Sequence, residues 1–137
     1  MDRTSRILGS LIVVMISVML VLWVGPAAET RFFPVYSRFE VVTAEKAPEG
    51  TIATFKFTKF RDCEARGWAW YVGEFGALSR QVEVKHINGI SARRKLGEGI
   101  TSPYLIAAEP DQVRDEMHAE ILSRCHPFWL SRSVVRP

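Results

Sequence analysis

The chain has 137 residues, of which 47% are apolar and 24% charged, and a formal charge of +3. That length holds one domain and little else. From Glu29 onward 16 basic residues stand interspersed among 14 acidic ones, which excludes a broad basic face for nucleic acid.

The apolar content is uneven. Residues 1–6, "MDRTSR", carry Arg3 and Arg6 and are expected to form a short cytoplasmic N-terminus. From Ile7 to Val24 no charge occurs. As a helix rising 1.5 Å per residue this run covers roughly 27 Å, close to the hydrocarbon thickness of a bilayer. A secretory signal begins in the same way, but its apolar core is usually only about 7–15 residues. This one is longer and ends in Trp23, a residue type that settles at headgroup level. "GPAAE" offers a poor cleavage site after Ala27, with Pro26 beside it. The expectation is a retained transmembrane helix over 7–24 and a linker over 25–34. Arg3, Arg6 and the terminal amine face Arg31 and Arg38 across the run, so basic residues orient the span only weakly. Ser10, Val14, Ser17 and Val21 fall along one stripe, without a GxxxG motif.

Residues 35–137 are expected to form one β-rich extracytoplasmic domain. "SRFEVVTA" (37–44) reads as a strand and "APEG" (47–50) as a turn. In "TIATFKFTKF", Ala53, Phe55 and Phe57 share one face while Thr54, Lys56 and Thr58 share the other, the mark of a half-buried strand. "RGWAWYVGE" (66–74) is aromatic-rich and suits a central strand. "RQVEVKHI" (80–87) alternates with Val82 and Val84 inward, and Asn88-Gly89 is the strongest hairpin signal in the chain. The returning arm, "ISARRKL", is charged enough to be an edge or a loop. "PYLIAA" (103–108) is a further strand. A short helical turn is expected at 110–115, with Pro110 as a first helical residue, then a strand from about 117. One helix continuing through Leu122 would instead make the fold α+β. "PFWLSRSVV" closes the domain.

Cys63 and Cys125 are the only cysteines. A structural zinc site needs paired ligands a few residues apart, and His86, His118 and His126 supply none. Cys125 and His126 are adjacent, so in a strand they project to opposite faces and can neither grip one ion nor act as nucleophile and base. C-x-x-C is absent. Cys63 with His86 stays open, but no oxyanion pocket is marked. On the far side of a membrane span the expected state is a structural disulfide, stabilising by roughly 4 kcal/mol in the chain-entropy model. It also settles the orientation, placing the domain outside the cytosol.

Short strands with turns every 8–12 residues, and the separation of the two cysteines, resemble the immunoglobulin or fibronectin type III architecture over roughly 35–136. The resemblance implies an all-β, antiparallel, immunoglobulin-like Greek-key sandwich preceded by the transmembrane helix. In that topology Cys63 and Cys125 lie at one end, bridged between loops and not through the core. Trp68 and Trp70 follow Cys63 closely, and Ser123 stands two residues before Cys125 where the tyrosine corner would be. No functional residue is therefore carried over.

No catalytic constellation is evident. Asp115-Glu116, and Asp62 with Glu64, are ordinary solvated pairs, and the glycines of "GEFGALSR" and "GEG" suit turns and do not form phosphate cradles. No catalytic residue, metal ligand, cofactor or small-molecule substrate is assigned. Trp68, Trp70, Tyr71, Arg124, Trp129 and Arg132 are candidates for a partner-binding patch, since aromatics and arginines are enriched at hot spots; the plainer alternative packs most of the aromatics beneath the disulfide. Arg93, Arg94 and Lys95 are a candidate basic tip for anionic headgroups or an acidic partner.

Three function classes follow. The chain is expected to be a non-enzymatic, single-pass accessory or structural subunit of the inner (cytoplasmic) membrane. Its β-domain, in the periplasm or outside, would dock to protein partners in a membrane or envelope assembly or a virion, with the bilayer as its other partner. The alternatives are an extracytoplasmic enzyme or thiol oxidoreductase using Cys63 or Cys125, and a secreted binding protein freed of its N-terminus.

Overall fold

A computed structural model describes residues 3–89 and 94–136. The chain is mostly β, with two antiparallel sheets behind one apolar N-terminal helix. That helix, α1 (Arg3–Phe32), outruns the apolar segment at both ends and covers about 45 Å at 1.5 Å per residue. It is long and apolar enough to cross a membrane, and the apolar window is wholly exposed.

The stretch 25–34, expected as a linker, is helical to Phe32. Pro26 lies inside the helix, where its missing N–H costs a backbone bond. Ala27, Ala28 and Glu29 are good helix formers, and the β-domain packs on this turn, as described below. Thr30 Oγ1 donates to the Pro26 carbonyl at 2.9 Å.

The first sheet contains β1 (Glu40–Ala47), β2 (Gly50–Lys59), β5 (Val84–His86), β6 (Gly97–Ile100) and β7 (Tyr104–Ile106), in the order β1-β2-β7-β5 with β6 also on β2. β6 and β7 share one edge of β2: Gly97–Ile100 pair with Lys56–Lys59, and Tyr104–Ile106 with Thr51–Ala53. Thr101 bridges the gap. Its N–H donates to the Phe55 carbonyl at 2.8 Å and its Oγ1 accepts the Phe55 N–H at 2.9 Å. The glycines of "GEG", expected in a turn, open β6 instead. At Gly99 a β-carbon would meet the Phe57 ring at 3.1 Å, so a side chain there would require the ring to shift by a few tenths of an ångström.

The second sheet has the order β4-β3-β8-β9, from β3 (Glu64–Val72), β4 (Arg80–Val82), β8 (Met117–Arg124) and β9 (Ser131–Val135). The single strand expected over 80–87 is therefore two. Val82 pairs with Trp70 in the second sheet, whereas Val84 pairs with Ile106 in the first. Both valines face inward, and the chain changes sheets at Glu83. Among the described residues the neighbour of β5 is β7. Ile90–Arg93 of the expected return arm lie outside the described residues. The α2 helix (Pro110–Asp115) occupies the expected 110–115, closed at its start by a capping box between Glu109 and Gln112. It ends before β8, so no longer helix runs to Leu122.

The core lies between the sheets. Phe55 of the first sheet stacks on Trp70 of the second with centroids 5.5 Å apart. Phe39 and Tyr104 complete the cluster at 6.3 and 5.7 Å from the Trp70 ring.

Candidate functional site

β3 and β8 are antiparallel neighbours, and Glu64 is the register partner of Arg124. Cys63 immediately precedes the first and Cys125 immediately follows the second. The two thus meet at the same end of the ladder with Cα atoms 4.5 Å apart, and they form a disulfide. Cys63 is buried and Cys125 half-buried. The bridge closes the ends of two strands of one sheet and does not cross the core between sheets.

The same end receives α1. Glu29, the last acid of the helix, is buried among three donors from the domain. Arg61 Nη1 donates to Oε1 at 2.5 Å, and Trp129 Nε1 to Oε2 at 2.6 Å; His126 Nε2 stands 3.1 Å from Oε2. A carboxylate near a helix C-terminus opposes the macrodipole, and Arg61 answers both problems, because Nη1 also donates to the Phe33 carbonyl at 3.1 Å. One guanidinium neutralises the acid and caps the helix. One turn earlier, a β-carbon on Gly25 would stand 2.7 Å from Trp129 Cη2. Glycine leaves room for the indole, which reaches Gly25 with its six-membered ring and Glu29 with its N–H.

A buried lysine supports this end from inside. Lys59, at 1% exposure, donates to the carbonyls of Cys63 at 2.8 Å and Arg94 at 2.9 Å. Burying an ammonium is costly unless its hydrogen bonds are met; here they pin both the disulfide loop and the segment leading into β6.

The six candidate partner-binding residues do not form one patch. Trp70, 7% exposed, is core. Trp68 shares its face but lies at the rim, 39% exposed, with its ring edge-on to His86 at 5.3 Å. Trp129 belongs to the helix junction. Tyr71, Arg124 and Arg132 do share the outer face of the second sheet. There Tyr71 stacks on His118 at 5.3 Å and Arg132 bonds Glu120. Of the basic tip, Arg93 lies outside the described residues. Arg94 is committed to Tyr104 Oη at 2.7 Å and to the face of Phe57 at 4.8 Å, leaving Lys95 exposed.

Burial pushes the imidazoles of His118 and His86 below their usual value, and the neighbouring Arg136 and Arg94 add to it. Among the described residues no three His, Cys, Asp or Glu side chains converge as a metal site would require. Cys63 is bonded to Cys125 in the disulfide.

Glu29 and Lys59 were not singled out from the sequence. Lys59 had a signal: period two places it in the inward row of Ala53, Phe55 and Phe57. Glu29 had a weaker one, its i, i+4 relation to Gly25, visible only once 25–32 is known to be helical. No protein-family model, curated protein or solved structure matches the chain.

Proposed function

We propose that the chain is a single-pass, non-enzymatic accessory or structural subunit, anchored by α1, whose disulfide-bonded β-domain docks to protein partners in a membrane or envelope assembly. The observation that carries this reading is the junction at Glu29. An anchor that merely tethered a domain would end in a flexible linker; here the helix runs unbroken into a part-buried ion pair and an indole hydrogen bond. A domain locked to its anchor is held at a set height and orientation above the bilayer, which suits a part of an assembly better than a diffusing enzyme.

The junction also supports retention of the helix. Its contacts straddle the Ala27 bond, with Gly25 on one side and Glu29 on the other, so cleavage there would remove half of it. The disulfide supports an oxidising compartment, which for a chain of the inner (cytoplasmic) membrane means the periplasm or the outside. The strand orders β1-β2-β7-β5 and β4-β3-β8-β9 support reading the domain as an immunoglobulin-like Greek-key sandwich. With β1, β2, β7 and β5 in the places of A, B, E and D, and β3, β8 and β9 in those of C, F and G, two strands are additional, β4 beside β3 and β6 on β2.

The test is mild-detergent extraction of the full chain from native membranes, followed by sizing and intact mass measurement without reductant. The reading expects Met1 retained, two hydrogens missing, and other polypeptides present in fixed ratio. A lone 15.5 kDa chain in its micelle, or one shortened at its N-terminus, would overturn it.

A further inference from the structure

The β8–β9 loop, His126–Leu130, lies beside α1 at a depth the chain itself defines. Trp129 packs on Gly25, the residue directly after the apolar run that ends at Val24. One residue is about 1.5 Å along a helix axis, and the headgroup zone of a bilayer is about 5–7 Å deep on each side. With the end of the apolar run taken as the edge of the hydrocarbon layer, a group in contact with Gly25 stands near the level where acyl chains give way to headgroups.

The loop is built for that level. Phe128 is 73% exposed, although the residues on either side of the loop are buried or half-buried. Leu130 is also exposed. Trp129 turns its N–H to Glu29 and His126 turns its Nε2 to the same carboxylate, so the loop's polar groups point toward the helix and its domain. From Ile121 to the C-terminus no acidic residue occurs, and Arg124 is exposed beside the disulfide. The loop itself carries no acid; the carboxylates at this end are Glu29, held by Trp129, His126 and Arg61, Glu64, paired with Arg66, and Asp62, 3.9 Å from Lys59. An exposed aromatic ring beside basic residues is the chemistry of a lipid surface.

We propose that the His126–Leu130 loop is a second membrane-contact element, inserting Phe128 into the headgroup–acyl boundary of the leaflet from which α1 emerges. The inference rests on the reading of α1 as a membrane anchor and deepens it. Helix and loop make two points of contact joined by the Glu29–Trp129 bond, so the domain is seated with its disulfide end on the bilayer. The β3–β4 loop, with Leu78 99% exposed, lies at the other end and points away.

The experiment places a photoreactive benzoylphenylalanine singly at Met19, Phe128 or Leu78 of the full chain in phosphatidylcholine vesicles, and detects phospholipid adducts by mass after irradiation. All three side chains are exposed, so none of these variants disturbs the core. The expected result is lipid adducts at Met19 and Phe128 and none at Leu78. An adduct at Met19 without one at Phe128 would overturn the loop's role while leaving the anchor intact. Absence at Met19 would overturn the anchor reading and the inference with it. Equal labelling of Leu78 and Phe128 would overturn the seated orientation.

Discussion

The Trp129 indole donates its N–H to the Glu29 carboxylate at 2.6 Å, across 100 residues of sequence, and joins the closing loop of the β-domain to the N-terminal helix. Because Glu29 also holds Arg61 and His126, its removal takes the shared acceptor from three side chains, of which Arg61 keeps the Phe33 carbonyl. Glu29→Ala is expected to destabilise the junction by about 3 kcal/mol, and Glu29→Gln by less because an amide oxygen still accepts. Hydrogen exchange of the full chain in detergent should show residues 25–33 losing protection while β2 and β8 keep theirs. Unchanged protection over 25–33 in Glu29→Ala would contradict the junction.

The Cys63–Cys125 bridge closes a 62-residue separation. Reduction, or Cys125→Ser paired with Cys63→Ser, is expected to remove roughly 4 kcal/mol of stability in the chain-entropy model. Urea unfolding followed by tryptophan emission would register this as a lower midpoint with reductant present. An unmoved midpoint would show that the strands alone hold this end.

The Lys59 ammonium donates to the carbonyls of Cys63 and Arg94 and stands 3.9 Å from Asp62 Oδ1. Lys59→Met preserves most of the stem packing and strands both acceptors, with an expected cost of about 2 kcal/mol. Lys59→Ala should cost more, because it adds a cavity. If the methionine variant were as stable as the parent in urea titrations, the lysine's hydrogen bonds would have no net value.

The two neighbouring tryptophans of β3 should behave differently. Trp70→Ala removes the ring against which Phe39, Phe55 and Tyr104 pack, for an expected loss of about 3–5 kcal/mol. Trp68→Ala, at the rim, should cost well under half as much. Comparable losses at both positions in a thermal melt would place Trp68 in the core as well.

Acid should weaken the fold. His118 and His86 bind protons less readily folded than unfolded, chiefly because burial disfavours the imidazolium. Arg136 and Arg94 reinforce this, and Glu120 partly offsets it at His118. For groups lowered in this way, stability is complete above the ordinary value of 6.5 and is lost as pH falls below it toward the folded-state values. The unfolding midpoint is expected to drop between about pH 7.5 and about pH 5, the window in which histidine titrates. His118→Gln should flatten part of that slope; an identical slope in the variant would remove His118 as its source.

Much of the architecture can be read from local pattern. The charge-free run of 7–24 follows from composition and length, and the inward row of Ala53, Phe55 and Phe57 and the short helix at 110–115 follow from periodicity or capping within a dozen residues. Other features needed distant partners. Val82 and Val84 alternate as one strand would, and only their pairing with Trp70 and with Ile106 divides them between sheets. Trp68 and Trp70 are equivalent by alternation, and their different burial comes from what the opposite sheet places over each.

The amino-acid sequence by itself determined the apolar helix, the strand-rich domain and the cysteine pair, because these depend on composition and on short-range spacing of polar and apolar side chains. Only the tertiary structure decided that the helix continues to Phe32 and closes on the domain through Glu29, Arg61 and Trp129. A carboxylate, a guanidinium and an indole scattered over 100 residues carry no local signature of one another. Their attraction acts only once the strands have brought the loops at Arg61 and Trp129 to the same end of the sheets.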